Sequence, residues 1–472
     1  MFPFRSLHAL QSALRSGQTS CRAVVEYHLS RIEQTRDLNA FIEVWGAEAL
    51  AKADELDRRL GSGDAQQGRL FGAVVSLKDN ICYAGHRATA GSRILDGFES
   101  LYSATAVERL LAEDAILIGR TNCDEFGMGS SNENSAYGPV RNAADPGRVS
   151  GGSSGGAAVS VQTDCCLFAL GSDTGGSVRQ PAGFCGIWGF KPTYGRISRH
   201  GLIAYGSSFD QIGVLAHNAD DIAVCLEVMA GPDAFDATCL PATQPTAANT
   251  GKRPARIAYF PEATDSEGLE DGVRTLTRVF MQKLRDEGHH VAPVTFDLLD
   301  YLIPAYYVLT TAEASSNLAR FDGIRYGYRS PNADNFEATY LKSRTEGFGA
   351  EVKRRILLGT FVLSSGYYDA YYGKAQQARR LIRDRIMAIF REFDFILMPV
   401  APDVAWRFGE KAGDPVAAYL SDIYTVPANL AGVPALAMPI GTHPDNGLPV
   451  GIQFMASQGS DEALLDFAGK LK

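Results

Sequence analysis

The chain has 472 residues, 45% of them hydrophobic and 21% charged, with a net charge of −9. That length is ample for a buried core and, on length alone, for several domains. The acidic balance makes a poor stand-alone nucleic-acid binder, because affinity for phosphates comes mainly from Lys and Arg; any work near RNA would fall to a partner.

The opening stretch, MFPFRSLHALQSALRSGQTS, lacks the unbroken apolar segment of a secretory leader. From Ser6 to about Leu60 the pattern is helical, and EVWGAEALAKADELDRRL stops at Gly61. GSGDAQQG follows as a polar linker. RLFGAVVSLKDN is a short apolar run that reads as a buried strand ending on Lys78. TAVERLLAEDA is an amphipathic helix and AILIGRTN a second buried strand. Strand, helix, strand at this spacing argues for α/β layering and a largely parallel sheet.

A Gly/Ser-rich stretch covers residues 150–156, and DCCLFALGSDTGGS reads as a strand running into a glycine turn. ATQPTAANTGKRPA (242–255) is the best candidate for a loop or sub-domain boundary. Beyond it come longer helices, from EVKRRILLGTF to RDRIMAIFREF, and a return to apolar strands at DFILMPV and LPVGIQFM. No apolar run reaches the roughly 18 residues of a membrane span. The eight cysteines show no CxxC pair and no paired-ligand spacing, so they read as small buried residues in a reducing cytoplasm, with neither metal nor disulfide framework.

The cluster SGGSSGGAAVS admits three readings. A phosphate cradle at a helix start is one, but the Gly-Lys-Ser/Thr of a P-loop and the GxGxxG of a dinucleotide site are both missing. A nucleophile elbow is the second, since Gly152 to Gly156 satisfies G-x-S-x-G. That motif needs a strand before it, and PVRNAADPGRV, with two prolines, supplies none. The third takes the cluster together with GSDTGGSVRQPAGFCG. There Ser177 follows Thr174-Gly175-Gly176, and consecutive glycines let several N–H groups converge as an oxyanion hole requires.

A nucleophilic serine needs a base. None of the eight histidines lies in a catalytic-looking motif. Lys78 is the alternative, because an ammonium pressed against GAVVSL would be pushed toward the neutral amine by burial. On pattern alone a second reading stands beside it: a strand-end lysine paired with Asp79. No S-x-x-K is present, which leaves the penicillin-binding type of site unsupported.

The run GGSSGG followed by GSDTGGSVRQPA is similar to the amidase-signature family. The resemblance implies one α/β domain over residues 1–472, a mixed sheet with helices on both faces. Within it fall a helical segment to about 60, a catalytic core of about 69–230 and a substrate-pocket portion of about 255–472. It implies a triad of Lys78, Ser153 in an unusual cis peptide, and Ser177 as acylating serine. An oxyanion hole at Thr174, Gly175, Gly176 and Ser177 follows, with Ser154, Asp173 and Arg179 in support. TNCDEFGMGSSNENSAYGPVRN, KPTYGRISRHGLIAYGSSFDQIG, EASSNLARFDGIRYGYR, RRILLGTFVLSSGYYDAYY and VPANLAGVPALAMPIG resemble one branch of that family, the ammonia-supplying A subunits of tRNA-dependent amidotransferases. That branch implies glutamine as substrate, held by Tyr306, Arg355 and Asp422. It implies no cofactor in this chain, a B subunit that uses ATP and magnesium and handles the tRNA, a small C subunit, and a cytoplasmic location. Arg354 and Tyr307, beside two of these residues, keep their assignment open. Cys123 and Gly127 depart from the larger or different apolar residues expected in that loop. A stand-alone amidase of the same fold is the competing reading, and a non-enzymatic module is opposed by the intact triad positions.

Overall fold

The computed structural model describes residues 3–62, 67–241 and 254–471. Most of the two segments read as linker or boundary, GSGDAQQG and ATQPTAANTGKRPA, lies outside those residues.

Eleven strands form one sheet among the described residues. They are β1 (Phe41–Val44), β2 (Val74–Lys78), β3 (Ile116–Thr121), β4 (Phe168–Asp173), β5 (Trp188–Lys191), β6 (Gln211–Ala216), β7 (Arg256–Tyr259), β8 (His290–Pro293), β9 (Phe395–Pro399), β10 (Ala435–Thr442) and β11 (Pro449–Ala456). Their order is β1-β3-β2-β4-β6-β5-β10-β11-β9-β7-β8. The expected strand–helix–strand unit is present: β2, the helix Thr105–Ala112 and β3, with the two strands parallel. β4 also runs parallel to β2. A largely parallel sheet is not what the whole shows, however. From β4 through β6, β5, β10 and β11 to β9 every neighbour is antiparallel, and parallel pairing resumes only at β9-β7-β8. The sheet is mixed, as the resemblance implied.

Alternation explains why helices lie on both faces. Phe395 and Leu397 of β9 enter one apolar cluster, with Leu7, Val24 and Leu464 of flanking helices. Ile396 and Met398, pointing the other way, enter a second, with Leu302, Leu309, Ile382 and Ile386. Side chains of a strand alternate faces, so each face buries its own layer. The N-terminal helices Leu7–Arg15 and Cys21–Gln34 start on Ser6 and Ser20, whose hydroxyls accept from the third amide along. The stretch read as helical throughout is interrupted by β1, which adds antiparallel to the edge at β3. Its Glu43 pairs with Arg120 at 2.7 Å.

The glycine cluster has a packing cause. The helix Gly155–Gln162 is buried nearly throughout. A Cβ on Gly156 would overlap the carbonyl oxygens of Asn122 and Ala40, and one on Gly155 would overlap Ser150 and Asn132. These residues bring a helix start against backbone, which only glycine permits. Gly156→Ala would gain about 1 kcal/mol of helix propensity against about 1–3 kcal/mol for overpacking against backbone that cannot yield. Net destabilisation is expected, read as a lower urea midpoint at unchanged slope; a variant as stable as the parent would contradict this packing.

Candidate active site

β2 and β4 are adjacent and parallel, so their carboxyl ends deliver Lys78 and Asp173 to the same edge. Lys78 is fully buried. Its Nζ donates to Ser153 Oγ at 2.7 Å, Ser172 Oγ at 2.9 Å and Ser154 Oγ at 3.0 Å. No carboxylate pairs with it among the described residues. Asp79, its sequence neighbour, is taken instead by the Arg120 guanidinium, the Thr89 hydroxyl and the Gly91 amide. The strand-end ion pair with Asp79 is therefore not formed. Burial pushes the Lys78 amine down to about 8, partly countered by the carboxylates of Asp124, Asp173 and Asp210 nearby. Burial also pushes the Cys123 thiol well above its ordinary value, so it stays neutral.

The peptide bond Gly152–Ser153 is cis. Asp124 braces this turn: its amide donates to Ser153 O at 3.2 Å, and its carboxylate accepts from the Asn132 and Asn134 amides. Gly127 lies beside the turn with φ 73°, where a Cβ would stand 3.5 Å from Ser153 Oγ. Of the two unexpected residues in that loop, Gly127 thus borders Ser153, and Cys123 lies buried within the electrostatic reach of Lys78.

Ser177 is nearly buried, in the turn after β4. Asp173 shapes that turn by accepting from the amides of Gly176 at 2.9 Å and Val178 at 3.2 Å, on either side of Ser177. Arg179 holds Asp173 in a two-pronged pair, both contacts at 3.0 Å, and spends its other donors on Thr425 O, Gln453 and Asn429. Burial raises the Asp173 carboxyl, but Arg179 and Asn429 more than offset this and hold it at about 2. The Ser154 amide donates to Ser177 O at 3.0 Å, tying the two serine turns together. No side-chain hydrogen bond joins Ser153 to Ser177.

Of the four amides expected in an oxyanion hole, that of Gly176 is committed to Asp173. Those of Thr174, Gly175 and Ser177 have no acceptor among the described residues. Gly176 has φ 127°, and a Cβ there would overlap Thr425; one on Gly175 would overlap the Tyr306 hydroxyl.

Tyr306 therefore packs directly against the turn that carries Ser177. It stands on the helix Leu299–Asn317, and Arg355 on the helix Ala350–Val362. Asp422 is buried and accepts from Ser130 Oγ at 2.8 Å and Tyr307 Oη at 3.0 Å. Burial pushes its carboxyl up to about 6, while Ser130, Tyr307 and Arg355 restrain it. Arg355, also buried, donates to Glu351 at 2.8 Å and Tyr205 Oη at 2.7 Å and lies over the rings of Tyr205, Tyr307 and Tyr419. Tyr307 thus connects Asp422 with Arg355. Arg354 is half-exposed at the rim, paired with Glu351. A cavity of about 270 Å³ opens here, lined by Ser130, Glu351, Arg354, Arg355 and Tyr419 among others.

Sequence reasoning missed Ser130, Tyr205, Glu351 and Tyr419 as parts of this site and named Tyr307 only as an alternative to Tyr306. Glu351 had a signal, four residues before Arg355 on a predicted helix. Ser130 and Tyr205 had none. The described cysteines are all free, and seven of them are buried. Among the described residues no group of His, Cys, Asp and Glu is placed to hold a metal ion, and no helix is long and apolar enough to cross a membrane.

This architecture has relatives. The family described as Amidase matches residues 23–465. A protein of Chlorobium phaeobacteroides strain DSM 266, named as the A subunit of glutamyl-tRNA(Gln) amidotransferase, is 51% identical over 475 residues, 99% of each chain. Its namesake from Chlorobium luteolum is 52% identical, over 98% of this chain and 96% of the relative. Among solved structures, the A subunit of glutamyl-tRNA(Gln) amidotransferase from Thermotoga maritima is 37% identical with a TM-score of 0.77, covering 95% of this chain and 90% of its own. A peptide amidase from Stenotrophomonas maltophilia is 29% identical with a TM-score of 0.79, covering 98% and 95%. By sequence along nearly its whole length and by fold, the chain belongs to the amidase family.

Proposed function

We propose that this chain is the glutamine-hydrolysing member of a tRNA-dependent amidotransferase, its A subunit. The observation that carries the reading is the buried Arg355–Tyr307–Asp422 cluster beside the Ser177 turn. A guanidinium with free donors suits an α-carboxylate, and a carboxylate suits an α-ammonium. A free amino acid whose side-chain amide reaches Ser177 meets both. The names and full-length similarity of the relatives support the transfer of its ammonia to a tRNA-borne substrate.

In this mechanism the neutral Lys78 amine takes a proton from Ser153, which takes one from Ser177. Ser177 Oγ attacks the side-chain amide carbon of glutamine. The free amides of Thr174, Gly175 and Ser177 meet the developing oxyanion, while Gly176, the fourth candidate, holds the turn. Tyr306 closes the pocket over Gly175. As the tetrahedral intermediate collapses, Ser153 returns the proton to departing ammonia, leaving a γ-glutamyl ester on Ser177. Water, deprotonated along the same route, releases glutamate. Ser154 and Ser172 orient the amine, and Asp173 with Arg179 fixes Ser177. The B subunit would receive the ammonia and, with ATP and magnesium, amidate glutamyl-tRNA or aspartyl-tRNA, braced by the C subunit. All would work in the cytoplasm, with tRNA bound mainly by the B subunit, as the net charge of −9 here suits.

Ammonia release from L-glutamine, L-asparagine and simple amides tests the reading. Glutamine should be preferred, release should rise with the B and C subunits and mischarged tRNA, and Ser177→Ala should lower it by about 10⁴-fold or more. Efficient turnover of simple amides, indifferent to partners, would mean a stand-alone amidase. The rate should rise with pH and level off with a midpoint near 8, because the amine acts only when neutral; a profile flat through that range would remove Lys78 as base. Arg355→Lys, which loses two-pronged pairing, should raise KM for glutamine about 10- to 100-fold with a smaller change in kcat. A fall in kcat at constant KM would place Arg355 outside substrate binding.

A further inference from the structure

One buried carboxylate stands outside the proton route yet touches both halves of the candidate site. β6 runs antiparallel to β4 with Gln211 opposite Asp173, so Asp210 comes to lie opposite Thr174, the first residue of the Ser177 turn. The Asp210 side chain is buried. Its Oδ1 accepts from the Thr174 hydroxyl at 2.7 Å and the Gly206 amide at 3.1 Å, and its Oδ2 from the Tyr205 amide at 2.9 Å. Among the described residues no cation donates to it, whereas Asp79 and Asp173 each have an arginine.

Burial pushes the Asp210 carboxyl up to about 6, restrained by the Thr174 hydroxyl and the Gly206 and Tyr205 amides. A carboxylate taken out of water without a counter-charge is costly, and the three donors are its compensation. Closing the turn 205–210 occupies only the two amides. The third contact reaches across to another strand and fixes Thr174, whose own amide is left free to face an oxyanion.

Tyr205 carries the connection onward. Its hydroxyl accepts from Arg355 at 2.7 Å and donates to Thr310 at 3.1 Å, and its ring lies under the Arg355 guanidinium. Thr174, Asp210, Tyr205 and Arg355 therefore form one series of contacts from the oxyanion turn to the guanidinium. Asp422, at the other end of the pocket, has a separate tie: the Thr425 hydroxyl donates to Gly175 O at 2.6 Å and its amide to Asp422 O at 3.0 Å. These two ties set how far each charged end stands from Ser177. A misplacement of about 1 Å can cost about 10²-fold in rate, and the methylene that separates glutamine from asparagine is a step of comparable size.

We propose that Asp210 is a positioning and specificity-determining residue: by holding Thr174 and Tyr205 together, it sets the separation between the oxyanion turn and Arg355 at the span of glutamine, not asparagine. It acts through these two neighbours and not on the substrate itself. The inference rests on the reading of this chain as a glutamine hydrolase whose Arg355 holds the α-carboxylate.

The test is steady-state hydrolysis of L-glutamine and L-asparagine by the chain assembled with the B and C subunits, for wild type, Asp210→Asn, Arg355→Lys and the double variant. Thermal melting is measured alongside. Asp210→Asn keeps the shape but sets an N–H against one of the three donors, so kcat/KM for glutamine should fall about 10- to 100-fold. Asparagine, too short to engage both ends at once, should lose no more than about threefold, so that the preference for glutamine drops. In the Arg355→Lys background the same substitution should cost no more than about threefold, because the end it positions is already disturbed. Thr174→Val, which removes one donor, should lower the preference in the same direction, and it carries the test if Asp210→Asn does not melt cooperatively. Equal losses on glutamine and asparagine, or losses that simply multiply with those of Arg355→Lys, would overturn the role of Asp210 while the amidotransferase reading stands. A wild type with no preference for glutamine would overturn both.

Discussion

A lysine amine buried without a carboxylate is the constraint around which this molecule is arranged. Taking an ammonium out of water is costly unless a counter-charge comes with it. Here the structure supplies three serine hydroxyls instead. The downward shift of Lys78 to about 8 corresponds to a penalty of roughly 3 kcal/mol on the charged form relative to a lysine in water. Hydroxyls satisfy the amine's hydrogen bonds without restoring its charge, which suits a group that must accept protons near neutrality.

Keeping the amine unpaired depends on what happens to two carboxylates that the chain and the sheet deliver to the same edge. Asp79 follows Lys78 directly, and Asp173 ends the adjacent strand. Each is drawn to its own arginine, Arg120 in one case and Arg179 in the other. The ion pairs are thus displaced to either side of the lysine, and Asp173 in turn shapes the backbone around Ser177. Lys191 offers an internal contrast. It is equally buried and pushed down to about 7, yet among the described residues its Nζ donates only to Pro192 O at 2.7 Å. Burial alone lowers the affinity of an amine for its proton; the neighbouring serines make one that can pass a proton on.

Legibility in the sequence followed locality. The strand ending on Lys78, its parallel partner and the glycine turn at Ser177 were readable because apolar runs and glycine pairs act over a few residues. β1 was missed because Phe41-Ile42-Glu43-Val44 is short and owes its form to pairing with β3. The antiparallel middle of the sheet was misjudged because β5 pairs with β10 across more than two hundred positions. The pocket was the least readable part: Asp422 meets Ser130 across 292 positions, and no pattern announces that. Likeness to a family pointed to Arg355 and Asp422. Burial distinguished Arg355 from its neighbour Arg354, and the Tyr205 and Tyr419 contacts emerged only in three dimensions.

The central claim, a lysine whose amine burial among serines brings within reach of its neutral form near physiological pH, is open to direct observation. Titrating the chain with ¹³C-labelled lysine side chains and following the Lys78 Cε resonance by NMR, assigned with Lys78→Arg, would measure it. A midpoint near 8 that moves when Ser153→Ala removes one hydroxyl is the expected result. A midpoint at the ordinary lysine value of about 10.4, indifferent to Ser153, would show a charged structural lysine and contradict the account.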